Sequence, residues 1–243
     1  MNLVIDVGNT RIKYAFFEGN DLREVGYDMD ILISKLKVLR ESHAPVSFFL
    51  SGSGIIDEKL KQTLLGFADF ALDADPLMEL PLRLGYHTPQ TLGFDRIAVC
   101  AGAMSLYPGK NLLVINSGTA ITYNYVNESG VFIGGNISPG VEIRFRSLHQ
   151  YTAKLPYVEA QEEYGGVGLT TPDAIRNGVM LGMLYEVKGY IEDFRQTYAN
   201  TRVIISGGNS SFLKRRLPDT VCFNENLGFI GLNDILEYHK RLK

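Results

Sequence analysis

The hydrophobic pattern of the chain switches between short apolar runs and longer stretches with helical spacing, which is typical of an α/β fold. The first half predicts strand, strand, strand, helix and strand in that order, with bounds near 2–6, 10–17, 22–27, 30–42 and 46–50. A turn rich in Gly, Asn and Asp at 18–21 favours an antiparallel meander for the first three strands. A βββαβ order therefore opens the chain.

After this unit, apolar spacing predicts a helix over 59–67 and a short edge strand over 70–72. The next stretch, 76–94, has no sustained period, and irregular connections of this length are often functional. Asp95 then opens a helix that stops before a proline-glycine pair. We therefore expect Asp95 and Arg96 at a helix N-terminus.

The second half repeats this succession of elements. The pattern predicts strands at 111–116, 119–126 and 131–137, a helix after 138–140, a long helix over 172–198, a strand at 202–205 and a last helix over 228–243. The repeat is clearest in two runs, VIDVGNT at 4–10 and VINSGTA at 114–120. Their offset is 110 residues, and the same offset pairs Glu18 with Glu128.

The repeat predicts two pseudo-symmetric domains, 1–110 and 111–243, each a mixed βββαβ sheet flanked by helices. At 243 residues and 45% hydrophobic composition, the chain is long enough to bury two such cores. The expected fold class is α/β with two related halves.

The composition excludes several classes of partner and site. A net charge of −3 gives no broad basic surface and disfavours nucleic acid. The two cysteines, Cys100 and Cys222, lack CxxC spacing, so buried thiols are expected rather than a disulfide or a zinc site. The N-terminus enters a strand pattern directly, and no apolar run reaches the length of a membrane span. We expect a soluble cytoplasmic protein without a membrane partner.

The turn after the first strand has the residue types that bind phosphate. Gly8 lets the backbone turn closely, Asn9 and Thr10 can donate to phosphate oxygens, and the Asp6 carboxylate can hold a magnesium ion or its water. One copy of this pattern also occurs in ordinary turns. Two copies, each opening a βββαβ unit, favour a clamp that holds a polyphosphate from both sides.

The pair Asp95-Arg96 allows two interpretations. A carboxylate in the first turn of a helix is commonly a cap or a partner for the helix dipole. Alternatively, Asp95 accepts the proton of a substrate hydroxyl while the Arg96 fork holds an anionic group, as phosphoryl transfer to an alcohol requires.

The whole pattern resembles the ribonuclease H-like superfamily of acetate and sugar kinases, heat-shock chaperone ATPases and actin. Within that superfamily, the chain looks like a type III pantothenate kinase over nearly its whole length. The motifs that carry the resemblance are DxGNT at 6–10, Tyr86, GxDR at 93–96, GTA at 118–120, GGxIxPG at 134–140, and Thr171 with Ile175 and Gly178.

The resemblance implies ATP-dependent phosphorylation of pantothenate to 4′-phosphopantothenate, the first step towards coenzyme A. It implies that Asp95 is the general base, that Thr119 contacts ATP, and that Thr171 reaches the partner's substrate pocket in a homodimer. The implied first phosphate loop comprises Asp6, Val7, Gly8, Asn9, Thr10, Arg11, Ile12 and Lys13. The implied substrate pocket comprises Tyr86, Gly93, Phe94, Asp95 and Arg96, with Thr171. The family also uses Mg²⁺ and a monovalent cation, K⁺ or NH₄⁺.

Two positions depart from the family pattern. Asn116 stands where an aspartate usually helps to bind the monovalent cation, and Asn124 stands where an aspartate is also common. An amide keeps one oxygen ligand but loses the charge, so we expect weaker cation binding at Asn116. Two other functions stay open: a non-catalytic regulatory relative, and a kinase for another small hydroxy acid or sugar.

Overall fold

The computed structural model describes residues 1–8, 12–52, 56–75 and 77–242. The strands are β1 (Asn2–Val7), β2 (Ile12–Glu18), β3 (Asp21–Gly26), β4 (Ser47–Gly52), β5 (Phe70–Asp73), β6 (Arg83–Leu84), β7 (Asn111–Ser117), β8 (Ala120–Val126), β9 (Val131–Pro139), β10 (Thr201–Ser206) and β11 (Val221–Phe223). The helices are α1 (Met29–Glu41), α2 (Glu58–Leu65), α3 (Phe94–Leu106), α4 (Val141–Gln150), α5 (Thr171–Thr197), α6 (Ser211–Lys214) and α7 (Leu227–Leu242), with a 3-10 turn at Pro89–Thr91.

The chain forms two compact units, of which the first is Met1–Leu106 with Leu227–Lys243 and the second is Tyr107–Asn226. In the first unit the strands lie in the order β3-β2-β1-β4-β5. Strand β1 runs antiparallel to β2 and parallel to β4. Because both faces of this central strand are covered, its sequence is a continuous apolar run rather than an alternating one.

In the second unit, strands β7 to β11 lie in the order β9-β8-β7-β10-β11. This order matches that of the first unit strand for strand, with the same antiparallel and parallel pairs. The long helix α5 covers the sheet with apolar residues at helical spacing, which are Ile175, Val179, Met180, Met183, Leu184, Val187 and Ile191. The predicted α/β fold with two pseudo-symmetric βββαβ halves is confirmed.

Strand register corrects the constant offset between the halves. Within β1 and β7 the offset of 110 residues holds, but Asp6 pairs across with Lys13, whereas Asn116 pairs across with Thr122. One residue fewer separates the paired strands of the second half, so the structural counterpart of Lys13 is Thr122. The predicted pairing of Glu18 with Glu128 therefore has no structural equivalent.

Helix α7 packs against α3 inside the first unit. A Cβ on Gly231 would overlap the carbonyl oxygen of Ala98, and one on Gly102 would overlap that of Leu227, so glycine permits backbone-to-backbone contact. Asn2 Nδ2 donates to Asn233 Oδ1 at 2.8 Å and ties α7 to the start of β1. The compact units thus differ from the predicted boundaries of 1–110 and 111–243, which assigned the last helix to the second half.

Three short elements, β6, β11 and α6, have no counterpart in the sequence prediction because two to four residues carry too little periodicity to register. Among the residues described, no helix combines the length and apolar character needed to cross a bilayer.

Candidate active site

In the first unit, the site is built around Asp6 at the end of β1. Its cross-strand neighbour is Lys13 on β2. Burial raises the pKa of Asp6, the positive charge of Lys13 acts in the opposite direction, and the negative charge of Asp95 raises it further. The two carboxylates predicted to act in phosphoryl transfer therefore share one electrostatic environment.

Asp95 lies in the first turn of α3, as predicted. The amides of Arg96 and Ile97 donate to the carbonyl of Gly93 at 3.1 and 3.4 Å, which closes that turn. A Cβ on Gly93 would lie 2.5 Å from Oδ1 of Asp95, so a larger residue at this position would require the Asp95 carboxylate to shift. Glycine therefore leaves space for the carboxylate in the position that it occupies.

Tyr86 and Arg96 come together although ten residues separate them. The guanidinium carbon of Arg96 lies 5.8 Å from the centroid of the Tyr86 ring, a cation–π contact. Arg96 is only 4% exposed. The contact joins the irregular segment before α3 to the first turn of that helix, where Asp95 lies.

Phe94 lies at the start of α3. Its side chain is 8% exposed and packs against Phe49 with ring centroids 5.5 Å apart. The ring therefore anchors the start of α3 in the core, and contact of Phe94 with a substrate stays a prediction.

In the second unit, the turn after β7 is held by neighbouring backbone. The Asn209 amide donates to the Ser117 carbonyl at 3.0 Å, and its side-chain amide donates to the Gly118 carbonyl at 3.1 Å. The Gly140 amide donates to the Thr119 carbonyl at 3.0 Å. These bonds fix the turn and leave the Thr119 side chain exposed, as contact with a nucleotide would require.

Each half has one glycine that lets its strand ends approach closely. Gly52 has φ +154° and Gly207 has φ +93°. A Cβ would overlap the carbonyl oxygen of Val7 at the first position and that of Ser117 at the second. At Gly207 it would also lie 2.8 Å from Oδ1 of Asn116. The sequence signal for both positions is a Ser-Gly pair that ends a parallel strand.

Comparison with known proteins agrees with this arrangement. The sequence model of the type III pantothenate kinases matches residues 2–193. A type III pantothenate kinase from Christiangramia forsetii is 39% identical over 242 residues, which covers 99% of this chain and 99% of that protein.

The chain belongs to the type III pantothenate kinase family. Solved structures agree at the level of the fold. A protein from Campylobacter jejuni described as a Baf-family transcriptional activator superposes with a TM-score of 0.62 at 20% identity, covering 98% of this chain and 99% of that one. The activator of 2-hydroxyisocaproyl-CoA dehydratase from Clostridium difficile, with bound ADPNP, gives a TM-score of 0.56 at 10% identity, covering 99% of this chain and 96% of that one.

The cations that the type III pantothenate kinase family implies can be tested against the residues present. In the described part of the chain, no three His, Cys, Asp or Glu side chains form a group that could hold a metal. Magnesium needs only one or two carboxylates when phosphates supply other ligands, and Asp6 near the end of β1 offers one. For a monovalent cation, Asn116 offers a neutral amide oxygen beside Gly207.

The second departure from the family pattern serves the core. Asn124 is 0% exposed. Its side-chain amide donates across the β7–β8 pair to the Val114 carbonyl at 3.1 Å, and along β8 to Oγ1 of Thr122 at 3.0 Å. Its position inside the sheet separates it from the exposed turn that carries Thr119.

The remaining predicted residues lie in different parts of the chain. Val7 and Ile12 pair across the first hairpin. Asn9, Thr10 and Arg11 lie outside the described residues. Thr171 begins α5 and is exposed, and its neighbour Thr170 caps that helix by accepting from the Asp173 amide.

Thr171 lines a surface groove of about 550 Å³ between α4 and α5. The other lining residues are Arg144, Ser147, Leu148, Leu155, Ala174, Ile175, Gly178, Val179 and Gly182. Small residues on α5 keep this groove open.

Proposed function

We propose that this chain is an active pantothenate kinase that transfers the γ-phosphoryl group of ATP to the primary hydroxyl of pantothenate, giving 4′-phosphopantothenate for coenzyme A synthesis. Membership of the type III pantothenate kinase family supports the reaction. The observation that carries the proposal is the place of Asp95 in the first turn of α3, close enough to Asp6 for its negative charge to help raise the pKa of Asp6. A protein that only binds a ligand has no need for a second carboxylate there.

In the proposed mechanism, Asp95 accepts the proton of the attacking hydroxyl as its oxygen bonds to the γ-phosphorus of ATP, while the bond to the β,γ-bridging oxygen breaks in line and ADP leaves. Arg96, with Tyr86 beside it, holds the pantothenate carboxylate, since Arg presents a bidentate fork and the cation–π contact with Tyr86 keeps the two residues together. Gly93 gives the Asp95 carboxylate the space to take this position.

ATP is proposed to lie along the turns after β1 and β7. Lys13 would meet the phosphates of ATP, and Asp6 would hold a magnesium ion, which neutralises charge that develops on the transferred group. The Thr119 hydroxyl would contact ATP from the second turn. Asn116 would offer its amide oxygen to K⁺ or NH₄⁺, with a lower affinity than a carboxylate has.

We also propose a homodimer in which Thr171 completes the substrate pocket of the partner. The support is a line of small or exposed residues along one face of α5, namely Thr171, Ala174, Gly178, Gly182, Tyr185 and Gly189. Within the described residues, a Cβ on any of the three glycines would meet nothing within 4 Å. Such a face on a 27-residue helix allows a second copy to approach its backbone closely.

The test of the reaction is an assay of purified protein with ATP, pantothenate and MgCl₂, run with and without KCl or NH₄Cl. We expect 4′-phosphopantothenate by mass spectrometry, and we expect Asp95→Asn to lower kcat by about 10²–10⁴-fold. Asp219→Asn, in an exposed turn, is the matched control and should keep full activity. An inactive wild type would contradict the proposed function, while a fully active Asp95→Asn would contradict only the mechanism. Turnover of another hydroxy acid or sugar in place of pantothenate would favour the alternative function, a kinase for that substrate.

The role of Thr171 is tested by co-expressing two variants, Asp95→Asn and Thr171→Val. If Thr171 serves the partner's site, the mixed dimer holds one site with both defects and one intact site, so activity reappears. If Thr171 serves its own site, each site of the mixed dimer keeps one defect. No recovery in isolated mixed dimers would therefore overturn the proposed exchange.

A further inference from the structure

A network of polar side chains in the second unit connects helices α4 and α5 to the end of strand β9. Its centre is the ion pair of Arg144 on α4 with Glu186 on α5, in which Nη2 lies 2.6 Å from Oε2. The hydroxyl of Tyr123 on β8 donates to the other carboxylate oxygen, Oε1, at 2.7 Å. Both oxygens of Glu186 are thus engaged, and its carboxylate holds the Arg144 guanidinium in place.

Arg144 also binds the last two residues of β9. Its Nε donates to the Pro139 carbonyl at 2.7 Å, and its Nη2 donates to Oγ of Ser138 at 2.8 Å. A guanidinium can serve a carbonyl, a hydroxyl and a carboxylate together because its donors are spread over a planar fork. A lysine ammonium has all its donors on one nitrogen, so it would lose part of this set.

One peptide unit connects Arg144 to the turn that carries Thr119. The carbonyl of Pro139 accepts from Arg144, and the amide of the same peptide, which belongs to Gly140, donates to the Thr119 carbonyl at 3.0 Å. This unit is planar and rigid, so its two hydrogen bonds move together. A Cβ on Gly140 would lie 2.3 Å from the Thr119 carbonyl oxygen, so the two backbone segments are in direct contact.

We propose that Arg144 is a positioning residue for ATP. Held by Glu186, it fixes the peptide between Pro139 and Gly140, and through that peptide it fixes the backbone of Thr119. The Thr119 side chain is exposed, so the position of its hydroxyl depends on that backbone. The inference rests on the proposed function in one respect, the contact of the Thr119 hydroxyl with ATP.

A different role for Arg144 has to be separated from this one. Arg144 also lines the groove that contains Thr171, the residue proposed to reach the partner's substrate pocket. An arginine that served that pocket directly would affect pantothenate, whereas an arginine that positions Thr119 affects ATP. The two roles therefore differ in the substrate whose binding they change.

The test compares wild type with Arg144→Lys, which keeps the positive charge beside Glu186. The Kd of ADPNP with MgCl₂ is measured by calorimetry without pantothenate, and KM for each substrate is measured in the kinase assay. We expect the Kd of ADPNP and KM for ATP to rise about threefold to tenfold, as for the loss of one hydrogen bond. KM for pantothenate should stay unchanged. A merely structural role would lower the amount of active enzyme and the apparent kcat, but it would leave both KM values as they are.

A double-mutant cycle with Thr119→Val tests whether Arg144 acts through Thr119. Thr119→Val removes the hydroxyl and should itself weaken ADPNP binding. In that background Arg144→Lys should add less than about a twofold loss, because the group that it positions is gone. Fully additive losses would overturn the proposed route.

Two control variants accompany these measurements. Arg146→Lys changes an exposed arginine on the same helix, paired with Glu142 at 2.7 Å, and should leave the Kd of ADPNP unchanged. Ile191→Val in the core of α5 should lower the free energy of unfolding without changing that Kd.

The outcomes separate this proposal from the proposed function. Unchanged ADPNP affinity in Arg144→Lys would overturn the positioning role, and so would a rise in KM for pantothenate alone. A wild type that binds ADPNP but does not phosphorylate pantothenate would contradict the proposed function, while the binding cycle would still decide the role of Arg144. A wild type that does not bind ADPNP would overturn both.

Discussion

The two halves of the molecule build the same turn with different chemistry. In the first half, Asp6 and Lys13 face each other across the hairpin. In the second half, Asn116 and Thr122 occupy the same two register positions. Both charged residues of the first hairpin have neutral counterparts in the second. Because an uncompensated charge in a partly buried site is costly, the absence of both charges avoids leaving one of them alone.

What the halves keep in common is their backbone geometry. Gly52 and Gly207 both follow a serine at the end of a parallel strand. Each lies against a backbone carbonyl, that of the residue after Asp6 in the first half and that of the residue after Asn116 in the second. The shape of the turn and its charge are thus separable properties. The shape is needed in both halves, whereas the negative charge is kept in only one.

The largest expected effect is a difference in activity between variants at two equivalent positions, Asp6 and Asn116. Asp6→Asn should lower kcat by about 10²–10³-fold, because it removes the carboxylate proposed to hold magnesium. Asn116→Asp should change kcat by less than about tenfold, since the present amide already supplies an oxygen. The measurement is turnover over a series of KCl and MgCl₂ concentrations. A similar loss in both variants would mean that the halves contribute equally.

The next effect tests the shared geometry by stability. Gly52→Ala and Gly207→Ala should each lower the free energy of unfolding by about 2–4 kcal/mol, because a Cβ would overlap backbone and the φ angles disfavour it. Gly208→Ala is the control, since a Cβ there meets nothing within 4 Å of the described residues. Urea unfolding gives all three values. If Gly207→Ala left the free energy of unfolding unchanged, the strand ends of the second half could move apart without cost.

A smaller effect tests whether the charged pair can be rebuilt. Asn116→Asp alone places a carboxylate opposite Thr122, whereas adding Thr122→Lys recreates the pairing of the first half. A double-mutant cycle should give a favourable coupling of about 1 kcal/mol between these two cross-strand substitutions. A coupling near zero would imply that the second turn no longer holds these side chains close together.

The smallest expected effect is on stability and concerns Glu186, which contacts one of two tyrosines at equivalent positions in the two halves. Tyr14 and Tyr123 are register equivalents, both fully buried, but only Tyr123 donates to Glu186, at 2.7 Å. Burial acts to raise the pKa of Glu186, but the hydrogen bonds from Arg144 and Tyr123 prevail and hold it below the ordinary value of 4.5.

A depressed pKa contributes stability above the unfolded value, and that stability is lost as pH falls through the folded value. The free energy of unfolding should therefore decrease below pH 4.5 in wild type. Glu186→Gln should lose about 0.5–1 kcal/mol at neutral pH and show a shallower acid dependence. If the free energy of unfolding fell equally with pH in wild type and in Glu186→Gln, the titration of Glu186 would not be the cause of the loss.

Much of the fold could be predicted because its periodicities are strong. Continuous apolar runs identified β1 and β7, and helical spacing identified α5, since each element must bury a face of fixed geometry. The helical apolar spacing that follows Asp95 also placed this residue at the start of α3, as the structure has it. The limit was reached where two or three residues make an element, as in β6 and β11.

Candidate-site residues were harder to interpret one at a time. Phe94 lies within a predicted substrate motif, yet its ring packs against Phe49 in the core. Asn124 has a side chain that could bind a ligand, yet it is 0% exposed and donates a hydrogen bond to a carbonyl of the neighbouring strand. Residue type and spacing do not say which face of a strand or helix turns inward when both faces are covered.

The sequence by itself determined the family, the duplicated plan and the carboxylates at its two key positions, because these depend on residue identity and local order. Only the tertiary structure decided that α7 belongs with the first unit, that Thr122 rather than Tyr123 is the counterpart of Lys13, and that Arg96 stacks on Tyr86. These are contacts between segments distant in sequence or questions of strand register. Packing and hydrogen-bond geometry settle them, and neither leaves a periodic trace along the chain.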